Sequence, residues 1–212
     1  MHGMLARLYD TYVESDPHEF LISDRRQLER LVGKGAAEGS DEHVFIVEDA
    51  EGVSVGLFID RHVLDRLATA DPLDALDEQN LQDFCTALEG VSHFHYLLWS
   101  LAQGRSVSLL ELELQAEVDK YASALMLLTR QRDGEFPHAL HAAMFDRVRF
   151  APELETNARQ RYEAANRHAA RFCRDLDERF LRRRRSRPEA WVSELRRFFR
   201  CPHQQKLLAA SR

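Results

Sequence analysis

The sequence has few cysteines, few glycines and no long apolar run. Its 212 residues include three cysteines, nine glycines and six prolines. Cys85, Cys173 and Cys201 form no Cys-x-x-Cys pair, so neither a disulfide framework nor a structural zinc motif is indicated. No apolar stretch approaches the roughly 18–20 residues that span a bilayer, and the N-terminus lacks the apolar segment of a secretory signal. These absences predict a cytoplasmic protein that does not associate with membranes.

The composition is that of an ordinary globular protein. Hydrophobic residues make up 44% of the chain and charged residues 30%, which is too apolar for a disordered chain and sufficient for a packed core. The length fits one domain or two small ones. No internal repeat and no low-complexity linker divides the chain.

The net charge of −6 conceals an uneven distribution. Residues 156–212 contain sixteen basic and six acidic residues, a net of +10. The whole chain carries 29 basic and 35 acidic residues, so the remainder has a net charge of −16. The basic quarter either folds back and is neutralised internally, or it presents a cationic surface to an anionic partner.

The pattern predicts a mainly α fold, an antiparallel helical bundle with a small β-hairpin element near the N-terminus. Two β-branched and aromatic runs, Val44–Glu48 and Val53–Ile59, flank the turn Asp49–Gly52, and Phe20–Ile22 is a candidate for a third strand. Residues 1–70 are predicted to form an N-terminal α/β-hairpin subdomain. Residues 71–212 are predicted to form the bundle with a basic C-terminal helix, and the two parts to make one compact unit.

Helical spacing and capping residues place the helices. Two short helices are predicted within the first 40 residues, the second capped by Ser23-Asp24 and ended by glycines. From Arg61 onward the predicted helices cover residues 61–69, 77–102, 107–130, 137–148 and 152–185, followed by one that starts at Pro188 and ends at Pro202.

Several polar residues fall on helix faces that are otherwise apolar, where an unpaired charge is costly. On or beside these faces lie His95, Glu113, Glu117, Arg161 and His168. Antiparallel pairing through the short connection at Gly104 places His95 level with Glu113. The opposite face of the helix at 107–130 is predicted to be solvated and carries Glu111, Gln115 and Asp119.

Three interpretations of these residues stay open. The first is a buried network of ion pairs and hydrogen bonds, in which Arg161 and Tyr121 take part beside the carboxylates and histidines. The second is a divalent metal ion held inside the bundle by Glu113, Glu117, His95 and His168, although the paired Glu-x-x-His motifs of carboxylate-bridged bundles are missing. The third is an organic active site with Glu117 as general base, assisted by His95 or Tyr121.

Two further pairs have spacings compatible with joint ligation. Glu89 and His93 lie four residues apart, and His138 and His141 lie three apart behind Pro137. Two residues do not define a site, so the first pair is expected to be a surface or interfacial pair and the second an exposed helix start.

The final helix combines an apolar face with arginines. Its docking residues are predicted to be Trp191, Leu195, Phe198, Phe199, Arg196 and Arg197. Such a helix docks on its own body, on a protein partner or on a second copy of the chain. Nucleic acid is disfavoured as a partner, because the acidic body would repel a polyanion.

The sequence therefore favours a non-catalytic cytoplasmic interaction or regulatory module, with an acidic body, a basic aromatic docking helix and no cofactor. The alternative is a metal-binding protein or metal-dependent enzyme with a Glu/His site inside the helical bundle.

Overall fold

A computed structural model of the chain describes residues 1–13, 15–34, 39–49, 52–148, 155–182 and 187–210. Within these ranges the protein is mainly α-helical, as predicted, with one small sheet. The α-helices are α1 (His2–Tyr9), α2 (Arg25–Val32), α3 (Arg61–Thr69), α4 (Leu81–Ala102), α5 (Leu109–Gln131), α6 (Thr156–Phe180), α7 (Pro188–Arg200) and α8 (His203–Ala209). The strands are β1 (Leu21–Ile22), β2 (Glu42–Asp49) and β3 (Gly52–Ile59). No helix in the described ranges is both long enough and apolar enough to cross a membrane.

The predicted hairpin is present, and β3 is the central strand of the sheet. β2 and β3 pair antiparallel from Glu42 opposite Ile59 to Asp49 opposite Gly52. β1 pairs parallel with the other edge of β3, which confirms the prediction of a third strand near Phe20–Ile22. Residues 50 and 51 of the predicted turn lie outside the described residues.

Helices cover both faces of this sheet: α2 packs on one face through Leu28, Phe45 and Phe58, and α4 packs on the other. α4 contacts β2 and β3 on one side and α5 on another, and α5 packs in turn against α6. The Ser108 hydroxyl caps α5 by accepting a hydrogen bond from the Glu111 main-chain N–H at 3.2 Å. One apolar core includes buried side chains from both predicted parts of the chain, 1–70 and 71–212.

Several predicted helix limits differ from the structure. α4 begins at Leu81 rather than at residue 77. The segment predicted as a helix over residues 137–148 contains a π-helical turn, Ala142–Asp146, preceded by His141, whose Nε2 contacts the Ala170 carbonyl oxygen at 2.8 Å. The ends of the helix predicted over 152–185 fall partly outside the described residues, and α6 covers Thr156–Phe180.

Helix α8 was not predicted, because Pro202 was interpreted only as the end of the preceding helix. In the structure Pro202 is the residue that caps α8, so the same proline ends one helix and starts the next. A proline is compatible with a helix start because the first N–H groups of a helix need no partner within it.

The predicted docking face of α7 is used inside the chain itself. Its apolar members are at most 3% exposed and belong to the core: Trp191, Leu195, Phe198 and Phe199. Arg196 donates hydrogen bonds to the carbonyl oxygens of Leu8 and Arg7, and Arg197 pairs with Glu194 within α7. The structure shows internal docking of these residues on α1 and α6, one of the alternatives that the sequence left open, and docking of a partner through them stays a prediction. An amphipathic pattern cannot distinguish the two, because both cover the same apolar face.

Candidate metal centre

Two histidines of α4 lie on opposite faces of the helix. Residues two apart in an α-helix are separated by about 200° of rotation. His93 faces α5 and β2, and its Nε2 lies 3.4 Å from Glu113 Oε2. His95, which the sequence predicted beside Glu113, instead faces α1 and the residues that follow it, and its Nε2 lies 2.8 Å from Thr11 Oγ1. The helix pairing was predicted to within one turn, but the histidine that meets Glu113 is the other one.

His93 belongs to a group of ionisable side chains between β2, α4, α5 and α6, each at most 25% exposed. We call this group the carboxylate cluster; its members are Glu42, Glu89, His93, Glu113, Glu117, Lys120 and Arg161. Glu89 and His93 are four residues apart on α4, and Glu113 and Glu117 are four apart on α5, so each pair shares one helix face.

Gly90 makes room for the strand that carries Glu42. A Cβ built on Gly90 would lie 2.9 Å from Leu57 Cδ1 and 3.1 Å from Glu42 Oε2. A larger residue at position 90 would therefore force the Leu57 and Glu42 side chains to move. The missing side chain lets the Glu42 carboxylate approach His93 from the sheet.

The polar contacts around His93 are longer than ordinary hydrogen bonds. Its Nδ1 lies 3.6 Å from Glu42 Oε2, and Arg161 Nε lies 3.5 Å from Glu113 Oε1. His93 Nε2, Glu42 Oε2 and Arg161 Nε are all buried, and none has a hydrogen-bond partner among the described residues. Groups that are buried without a good partner are costly unless something else satisfies them.

At the other end of the carboxylate cluster the contacts are tight. Lys120 Nζ donates to Glu89 Oε2 at 2.7 Å and to Glu117 Oε1 at 2.8 Å. Burial opposes the charged ammonium, but the two carboxylates outweigh burial and hold the pKa of Lys120 well above its usual value. For Glu89, burial is likewise outweighed, chiefly by Lys120, and its pKa is lowered.

The pKa of His93 is raised well above the ordinary histidine value. Burial disfavours the imidazolium, but the neighbouring carboxylates of Glu113 and Glu42 outweigh that effect. Burial also raises the pKa values of Glu42 and Glu117. The two carboxylates therefore favour the imidazolium form of His93.

Three members of the carboxylate cluster fit a metal ion. Ligand atoms of Glu89, His93 and Glu113 all lie within 4.8 Å of one another. Two ligands bound tetrahedrally at about 2.1 Å from zinc lie about 3.4 Å apart, because the edge of the tetrahedron is about 1.6 times the bond length. The 3.4 Å between His93 Nε2 and Glu113 Oε2 matches that spacing.

The structure separates the metal ligands that the sequence predicted. Glu113 and Glu117 are in the carboxylate cluster, and so is Arg161 of the predicted buried network. His95 packs against His2 and Phe199, and burial lowers its pKa to about 3. His168 is half-buried near Arg167, Arg171 and the Ala210 main chain.

Tyr121, the second residue of the predicted buried network, is not part of the carboxylate cluster. Its hydroxyl donates a hydrogen bond to Asp177 of α6. Burial raises the pKa of Asp177 to about 6. The predicted network is therefore two separate contacts, one at Arg161 and one at Tyr121.

The face of α5 that was predicted to be solvated is buried, which corrects that prediction. Glu111, Gln115 and Asp119 are each at most 2% exposed. Asp119 accepts hydrogen bonds from Tyr9, from Ser92 at 2.6 Å and from Gln115 at 2.6 Å, and Gln115 accepts one from Lys206 of α8. This face looked exposed because the helices that cover it, α1 and α8, are distant in sequence or were not predicted.

A second acidic group lies on the surface and already has a cation. Asp41, Asp60 and His62 bring ligand atoms within 4.8 Å of one another. Arg25 Nη2 lies 2.7 Å from Asp60 Oδ2 and 3.7 Å from Asp41 Oδ1. The guanidinium therefore already balances the charge of these two carboxylates.

Comparisons with models of protein families, with curated proteins and with solved structures each found no match. The function has to be inferred from this chain's own side chains.

Proposed function

We propose that the protein binds one divalent transition-metal ion through Glu89, His93 and Glu113, with Glu42 as a further carboxylate beside His93. The observation that carries this proposal is the buried Nε2 of His93, which faces Glu113 at 3.4 Å without a hydrogen-bond partner among the residues described. A purely structural ion pair would be expected to contract to the 2.7–2.8 Å seen at Lys120.

The charges of the carboxylate cluster favour one divalent ion. With four ionised glutamates, Lys120, Arg161 and a protonated His93, the net charge is −1. A metal ion requires the neutral imidazole. The four negative charges are then balanced by Lys120, Arg161 and two positive charges on the ion, and the net charge becomes zero. Buried charges are tolerated when they are paired in this way.

The donor set indicates the class of metal. One imidazole nitrogen with two or three carboxylate oxygens suits Mn²⁺, Fe²⁺ or Zn²⁺, and it lacks the thiolates that select copper(I) or iron–sulfur clusters. Such an ion acts as a Lewis acid or activates a bound water. The proposal therefore favours the metal-binding alternative that the sequence left open.

Metal titration tests the proposal. Protein stripped with a chelator is titrated with Mn²⁺, Zn²⁺ or, without oxygen, Fe²⁺, and the bound metal is counted by elemental analysis. We expect one equivalent per chain for wild type. The variants His93→Gln and Glu113→Gln should each bind about 100-fold more weakly or worse, since even residues that only support a ligand cost roughly 10–100-fold. His138→Gln, at an exposed histidine, is the matched control.

Proton release gives a second measurement. Because His93 is protonated in the metal-free protein, binding should release about one proton per ion in weakly buffered solution, and affinity should rise with pH. The release should be absent in His93→Gln. Wild-type protein that takes up no stoichiometric metal, or a His93→Gln variant that binds as tightly as wild type, would overturn the proposal.

A further inference from the structure

We infer that Lys120 occupies the position of a second metal ion, so that the centre pairs one metal ion with one ammonium across the shared carboxylate of Glu89. This inference rests on the proposed metal binding and specifies its stoichiometry and the kind of chemistry it supports.

Glu89 faces both positions. It provides a ligand atom to the group with His93 and Glu113, and its Oε2 accepts from Lys120 Nζ at 2.7 Å. A carboxylate has two oxygens and can hold two cations at once. In two-metal sites the ions lie about 3.5–4 Å apart, often bridged by such a carboxylate. Lys120 therefore lies where the second ion of a bridged pair would be bound.

Glu117 pairs with the Lys120 ammonium and is not a ligand of the proposed metal ion. Its Oε1 accepts from Lys120 at 2.8 Å, and it is absent from the group of ligand atoms formed by Glu89, His93 and Glu113. This changes the role that the sequence predicted for Glu117, from metal ligand to partner of Lys120.

The Lys120 ammonium also contributes to the net charge of the carboxylate cluster. One divalent ion neutralises the carboxylate cluster, whereas two divalent ions beside Lys120 and Arg161 would leave it at +2. The centre should therefore support one-metal chemistry, in which the ion polarises a ligand or a bound water, rather than the two-metal displacement of bridged sites. The Lys120 side chain remains next to the ion as a hydrogen-bond donor.

Metal stoichiometry in Lys120 variants tests the inference. Wild type, Lys120→Ala and Lys120→Arg are stripped and titrated with Mn²⁺, and bound metal is counted after desalting. We expect one equivalent for wild type and for Lys120→Arg, which keeps the charge. Two equivalents are expected for Lys120→Ala, which opens space between Glu89 and Glu117. Electron paramagnetic resonance should show isolated Mn²⁺ in wild type and a spin-coupled pair in Lys120→Ala.

The Glu117→Gln variant keeps the inference testable if Lys120→Ala fails to fold. Its carboxamide oxygen can still accept from Lys120, and the proposed ligands are untouched, so it should still bind one equivalent. A folded Lys120→Ala protein that binds one equivalent, or a Glu117→Gln protein that loses the metal, would overturn the inference while leaving wild-type metal binding intact. Wild-type protein without metal would instead overturn the proposed function.

Discussion

Replacing Lys206 with methionine is expected to change how the stability of the protein depends on pH. Lys206 is 0% exposed, donates a hydrogen bond to the Gln115 side chain, and lies 4.0 Å above the ring centroid of Tyr96. Burial lowers its pKa to about 7, against the opposing effect of Glu111 and Asp119. The unfolded chain keeps the ordinary lysine pKa of 10.5.

The direction of the pH effect follows from the protons bound by the folded and unfolded chains. Between pH 7 and 10.5 the unfolded chain holds a proton on Lys206 and the folded chain does not, so raising the pH stabilises the folded state. Each pH unit in this window corresponds to about 1.4 kcal/mol in the free energy of unfolding, and the whole window to about 5 kcal/mol. Methionine fills a similar volume without titrating, so the variant lacks this dependence. It leaves the Gln115 oxygen without its donor, at a constant cost of about 1–3 kcal/mol.

Urea unfolding of wild type and Lys206→Met at pH 7, 8, 9 and 10 measures this effect. The unfolding free energy of wild type minus that of Lys206→Met should rise by about 1.4 kcal/mol per pH unit. The other titrating groups are the same in both proteins, so their contributions cancel. Lys34→Met, at an exposed lysine, corrects for removing a positive charge. A difference between wild type and Lys206→Met that is constant from pH 7 to 10 would refute the reasoning.

Two further predictions concern the sheet and the last helices. A Cβ at position 56 would lie 2.2 Å from Phe45 Cζ. Gly56→Ala should therefore lower the free energy of unfolding, measured in urea, by about 1–3 kcal/mol. An unchanged value would contradict the packing of β2 on β3. Phe198 is 2% exposed and stacks on Phe172 at 4.0 Å, so Phe198→Ala should cost about 3–5 kcal/mol. A Phe198→Ala protein as stable as wild type would favour a partner surface over internal docking.

Local signals in the sequence predict much of the fold. The β-branched runs and the turn between them identify the hairpin, and Asp24 caps α2 by accepting from the Arg26 main-chain N–H. The α3 helix, Arg61–Thr69, coincides with its predicted range. These features depend on residues within a few positions of one another, so a single sequence reveals them.

Part of the candidate site was also predicted, but from the burial pattern of a helix and not from local turns and caps. Glu113 and Glu117 were identified because they interrupt an apolar helix face. Glu42 and Lys120 carry no such signal, because one starts a strand and the other lies on a helix that is buried on more than one side. The four-residue spacing of Glu89 and His93 was recognised, but many surface pairs have the same spacing. Only the packing of β2 on α4 shows that this pair meets further carboxylates.

Helix α5 shows why periodicity failed at the centre of the molecule. A helix with one buried face has a polar remainder that faces water, and its pattern reveals which side is which. α5 instead has polar residues buried on two sides, and each side receives its cations from different parts of the chain. Lys120 and Arg161 lie on the side of Glu113, whereas Lys206 and Arg105 lie on the side of Glu111, with Arg105 Nη2 at 3.2 Å from Glu111 Oε1.

This arrangement accounts for part of the uneven charge along the sequence. Arg161 and Lys206 both come from the basic C-terminal quarter; Arg161 lies against Glu113, and Lys206 donates a hydrogen bond to Gln115 and feels the charges of Glu111 and Asp119. Other arginines of that quarter pair within it, as Arg197 does with Glu194. Internal neutralisation, one of the two outcomes that the charge distribution left open, therefore depends on a few specific cations and not on the total. Because Arg161 and Lys206 lie on opposite sides of α5, losing either one would remove a different buried contact: the ion pair with Glu113 or the hydrogen bond to Gln115.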